Sequence, residues 1–201
     1  MPIAPPLLSR LTAAIATSFF AAGVLAAPSL AAPKPKPAPA KKETGAAPAA
    51  STKGGTGQAQ KLAQFGDWTA YSTPGAKRIC YALSVPKERL PKSLNRDPGY
   101  LFVSYRPDEK VRGEIAIVMG FAVKEDAPSQ AILGKTTIQL AGKDASLFVR
   151  NAAEEGGMLA AMKKGGSLVI KASSKRGNAT SDRYSLDGLA QAADRAEKEC
   201  K

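Results

Sequence analysis

Cys80 and Cys200 are the only cysteines in a 201-residue chain that contains no histidine. Two thiols this far apart form a disulfide, stay free as a pair, or leave one reactive cysteine on the tail. They do not make a redox-active CxxC, and without histidine they do not make a zinc site. The lack of histidine also excludes a Ser-His-Asp triad and a Cys-His pair. Ser84-Val85-Pro86-Lys87 spells S-x-x-K, but that motif needs a helical turn, which Pro86 at the end of a strand prevents. Leu133-Gly134-Lys135-Thr136 imitates the end of a phosphate loop, with Ser129 where the first glycine is required. It reads as a turn into a strand. Asn178-Ala179-Thr180 is a glycosylation sequon by spelling only. The acidic pairs Asp108-Glu109, Glu125-Asp126 and Glu154-Glu155 lack the spaced oxygen ligands of a calcium loop. No metal, no cofactor and no catalytic residue is expected. The enzymatic alternative is a carboxylate-dependent hydrolase or transferase using Asp67 and Asp182, which requires their convergence at roughly 5–9.5 Å.

Cations are the better candidates. The formal net charge is +12, of which residues 61–201 carry +7. Lys171, Lys175, Arg176 and Arg183 flank the turn residues Gly177-Asn178. In the hairpin these imply, Lys175 and Arg176 sit at the tip, with Lys171 and Arg183 along the strands. These four are the candidate anion-binding residues, although hairpin tips also carry charge for solubility. A second basic group, Lys87, Arg89, Lys92 and Arg96, falls in an expected long loop. Aromatic residues are not interleaved with the cations as a base-stacking platform needs, so nucleic acid is not the expected partner. Anionic envelope polymers fit the charge. The alternative non-enzymatic reading is a small-ligand carrier with a cavity inside the fold. Oligomeric state is not readable from the sequence.

The elements that must hold these residues are mostly strands. Period-two patterns predict strands over 65–71, 79–85, 100–106, 114–123, 135–140, 146–150, 167–173 and 180–186. This predicts a mainly β, antiparallel β-sandwich-like single domain with one short internal helix and a C-terminal helix. The internal helix spans 151–164, with Asn151 as its cap, Glu154 at the capping-box position and Gly165 as its stop. The C-terminal helix spans about 187–200. Leu189, Ala192, Ala193, Ala196 and Cys200 form its apolar stripe, and Asp194 and Lys198 stand at i, i+4. Cys80 shares a strand face with Ala82, opposite Ile79, Tyr81 and Leu83. A helix packed by its alanines over Ala82 brings Cys200 to Cys80.

Residues 1–31 read as a signal peptide. Arg10 precedes an apolar run to Ala27, and Ser29-Leu30-Ala31 gives small side chains for cleavage after Ala31. An uncleaved anchor is the competing reading, and no later stretch is apolar enough to span a bilayer. Residues 32–60 form a Lys/Ala/Pro/Gly-rich linker with little to bury. Residues 61–201 are left for the folded domain. Export makes a disulfide the preferred state of the two thiols.

Phe65-Gly66-Asp67-Trp68, then Arg78-Ile79-Cys80, and at the end Tyr184-Ser185-Leu186-Asp187-Gly188-Leu189 carry a resemblance. So do Ala152-Ala153-Glu154-Glu155 and the stretch Met158 to Gly165. In their order and spacing the chain resembles the invasion-associated locus B family of exported Gram-negative proteins, over nearly all of 65–201. The resemblance implies an all-β sandwich-like domain in the periplasm, at the cell surface or secreted, with no established enzymatic activity, a role associated with host-cell invasion in some members, and hence a host or envelope protein as the alternative partner. Phe65, Gly66, Asp67, Trp68, Tyr184, Ser185, Leu186 and Gly188 are then structural motif residues. The chain departs from the family in its cysteines. Many members carry one shortly after the Phe-Gly-Asp-Trp motif and a further pair mid-domain, whereas here Tyr71 stands in the early region.

Overall fold

The computed structural model describes residues 58–201; the expected signal peptide and nearly all of the expected linker lie outside them. The strands are β1 (Gln60–Phe65), β2 (Trp68–Ser72), β3 (Cys80–Ser84), β4 (Glu88–Leu90), β5 (Tyr100–Arg106) and β6 (Val111–Val118). They continue as β7 (Ser129–Leu133), β8 (Thr136–Lys143), β9 (Ser146–Val149), β10 (Ser167–Ser173) and β11 (Ala179–Ser185). The helices are α1 (Ala152–Met162) and α2 (Leu189–Glu199).

All pairings between these strands are antiparallel, in the order β1-β2-β3-β5-β6-β9-β8-β7-β10-β11-β4. One apolar core draws on both halves of that order. Trp68, Ala82, Val103 and Ile117 come from the first half, and Leu140, Ile170 and Tyr184 from the second. The sheet therefore folds over on itself in the sandwich-like manner that alternating burial predicts.

The expected single strand over 65–71 is instead a hairpin. Phe65 pairs with Trp68 around a two-residue turn of Gly66 and Asp67, and Gly66 adopts φ 49°, a left-handed conformation suited to glycine. Besides β1 of this hairpin, two further strands lie outside the expected set. β7 precedes the Gly134 turn, and β4 lies in the region expected to be a loop. The expected strand over 114–123 stops at Val118, because Gly120 at φ 68° turns the backbone away.

Both helices form where expected. The Asn151 side chain accepts from the Ala153 amide, capping α1. α2 packs across β1, β2 and β3 through Leu189, Ala192, Ala193 and Ala196, all fully buried. This places Cys200 on Cys80, and the two form a disulfide with Cα atoms 5.9 Å apart. Asp194 does not pair with Lys198; it meets Lys163 at 2.7 Å.

The opposite face of the same strands carries a second apolar cluster, Tyr81, Leu83 and Phe102, with Tyr71 stacked on Tyr81 at 5.3 Å. Tyr81, Tyr105 and Tyr184 bury their hydroxyls without a hydrogen-bond partner among the described residues. Burial pushes Tyr81 up to about 12. Burial also raises Tyr105 and Tyr184, with smaller contributions from the acids nearest each ring. The ordinary phenol value is 10.0, so the unfolded chain loses these protons first. The stabilisation is complete below pH 10 and is lost as pH rises from there toward 12. An alkaline titration should therefore show the phenolate absorbance of these three rings appearing together with unfolding. Phenolate signal from all five tyrosines in a still-folded domain would contradict this.

Candidate functional site

Alternation along β11 turns Thr180, Asp182 and Tyr184 inward, so a carboxylate is buried in the sheet with no solvent exposure. A buried charge of this kind needs a partner. Asp182 has two. Arg89, opposite it on β4, donates from Nε to Oδ2 at 3.0 Å, and Arg96 donates from Nη1 to Oδ1 at 2.8 Å. Arg89 also donates to the carbonyls of Asp97 and Met119, both at 2.6 Å. The network ties β11, the 91–97 loop and the segment after β6 into one unit. Gly120 completes it: its carbonyl accepts from the Asp97 amide at 3.1 Å, and a side chain there would collide with the Asp97 carbonyl.

These anchored segments form one wall and the floor of a cleft of about 510 Å³. The other wall is the β10–β11 hairpin tip, closed by Ser174 and Asn178 and tied to the floor where the Lys175 amide donates to the Ala122 carbonyl at 2.9 Å. Arg96, Lys175 and Arg176 supply positive charge, and Asp97 is the carboxylate among the lining residues. Phe121 lies at the floor, 6.0 Å from the Arg96 guanidinium carbon. Lys175 and Arg176 are exposed and form no ion pair among the described residues.

The four expected anion-binding residues therefore divide. Lys175 and Arg176 line the cleft, while Lys171 and Arg183 lie along the exposed strand faces outside it. Arg183 pairs with Glu88 at 3.1 Å. From the second basic group, Arg96 enters the cleft, Arg89 holds it from below and Lys87 is bound elsewhere.

Lys87 meets Asp67, and that contact belongs to a separate joint. The Asp67 amide donates to the Asp187 carbonyl at 3.1 Å, and Trp68 Nε1 donates to the Ser185 carbonyl at 3.0 Å. Gly188, at φ 86°, lies so close to Phe65 that any side chain would strike its carbonyl. The Phe65–Trp68 motif and the Ser185–Gly188 motif are thus two sides of one contact, with Trp68 and Tyr184 fully buried beside it. The Lys87 ammonium, then the Ser185 hydroxyl, hold the Asp67 carboxyl below its ordinary range. Neither Asp67 nor Asp182 lines the cleft, and each is taken up by cations. Among the described residues there is no cluster of three or more metal-ligating side chains, and no helix is long and apolar enough to cross a membrane.

No family model matches the chain, and no curated protein matches it. Among solved structures, the chain is similar to the crystal structure of invasion associated protein B from Bartonella henselae. The identity is 13% and the TM-score 0.49, over 68% of this chain and 96% of that one.

Proposed function

We propose that this is an exported, non-enzymatic interaction protein of the bacterial envelope or cell surface, whose basic cleft binds anionic surface polymers. The observation that carries this reading is the convergence of Arg96, Lys175 and Arg176 on one concave site, from segments far apart in sequence. The Cys80–Cys200 bond suits an oxidising compartment. The signal-like N-terminus suits export, and the net positive charge suits anionic surfaces. A hydrolase gains no support from Asp67 and Asp182, since neither faces the cleft and both are bound by cations.

Capture of the mature chain on an immobilised polyuronate tests the reading. Binding should weaken at least tenfold from low to high salt. It should be lost in Lys175→Ala/Arg176→Ala and largely kept in Lys171→Ala/Arg183→Ala. Salt-independent capture, or equal loss in both double variants, would refute it.

A further inference from the structure

The cleft contains more than charge. Resting on the anion-binding reading above, we infer that it recognises one acidic, hydroxylated ring, a uronate unit of a polysaccharide, in preference to a dense polyanion.

Four features carry the inference. Arg96 is fixed before any ligand arrives: its side chain is 6% exposed and Asp182 holds it at 2.8 Å. Its Nη2 donates to the Leu90 carbonyl at 3.5 Å, so it lends the cleft a fixed positive charge and leaves direct contact with a single carboxylate to the exposed Lys175 and Arg176. Phe121, partly buried at the floor, offers a ring against which the apolar face of a sugar can lie. Asn95 and Asn178 line the cleft with side-chain amides that have no protein partner among the described residues, and these suit hydroxyl groups. Finally, Asp97 places a carboxylate among the cations. That group accepts hydrogen bonds from sugar hydroxyls, but it repels a ligand with charge at every position, so it discriminates by penalty as well as by attraction. A cleft of about 510 Å³ also has the size of a small-ligand site rather than of an open track for a polyanion.

Competition on the mature chain separates these cases. Immobilised polyuronate is displaced by a short oligouronate or by inorganic polyphosphate of matched charge, with free glucuronate as a further arm to separate monomer from polymer binding. The oligouronate should be the stronger competitor. Phe121→Ala should weaken its binding about tenfold, the scale of one aromatic contact, and leave polyphosphate binding unchanged. Phe121→Leu keeps apolar volume without the ring and should show the same selective loss, which covers a failure of Phe121→Ala to fold. Asp97→Asn should improve polyphosphate binding and narrow the preference. If polyphosphate competes as well as the oligouronate and Phe121→Leu changes neither, the site reads charge alone; this inference then falls while the anion-binding reading stands. If nothing binds the wild-type chain, both fall.

Discussion

Replacing Cys80 and Cys200 together with serine should lower the domain's stability by about 4–5 kcal/mol, the chain-entropy value for a loop this long. The arithmetic concerns the unfolded chain, which regains the freedom of a 120-residue span. The folded state gives a second reason to expect a large effect. The face of α2 buried against the sheet is built mostly from alanines, each of which buries little apolar area. The bond therefore supplies what the helix cannot obtain from packing. Urea unfolding of the wild type with and without reductant, alongside the double variant, measures this. Amide exchange should show α2 opening first in the variant. A loss below about 1 kcal/mol, with α2 still protected, would mean that the alanine face suffices without the bond.

Asp182→Ala should destabilise by about 3–5 kcal/mol, the scale for removing one side of a buried charge network. Arg89 and Arg96 would be left facing one another across a cavity, with only carbonyl acceptors remaining. An unpaired buried charge costs more than the network contributes, so apolar replacement of all three residues, Arg89→Met/Asp182→Leu/Arg96→Met, should recover much of the loss. The two effects separate in function. The triple variant should fold and still bind anions poorly, because Arg96 is gone and the 91–97 wall has lost its anchor. Urea midpoints of the single and triple variants, read with polyuronate capture, decide it. A stable Asp182→Ala domain would show that the arginines swing out to solvent.

Local patterns revealed the fold better than they revealed the site. Alternation along 79–85 put Cys80 and Ala82 on one face and Ile79, Tyr81 and Leu83 on the other. The structure has Cys80 and Ala82 in the main core and Tyr81 and Leu83 in the second cluster. The stripe along α2 was equally readable, because helix period and burial agree. The Gly66-Asp67 pair is itself a hairpin-turn signal, and the expected single strand over 65–71 runs across it. The Asp182 network depends on partners 93 and 86 residues away, which no window along the chain can show. A signal was present nonetheless: Thr180, Asp182 and Tyr184 share one strand face, and a carboxylate in register with a core tyrosine requires a cation. The cleft was half legible. Lys175 and Arg176 followed from the hairpin, whereas Arg96 and Phe121 arrive by topology.

The joint between Phe65–Trp68 and Ser185–Gly188 bears on when this domain can form. Its contacts span 117 residues at Trp68 and Ser185, and α2, the last element, covers the first three strands. A fragment lacking Ser185 and α2 has nothing to cover Trp68 or the inner face of β2 and β3, so structure there waits for residues 185–200. Contacts of such sequence separation also make folding slow. The first hairpin and the last helix are therefore acquired together, once residues 185–200 are available to close the joint.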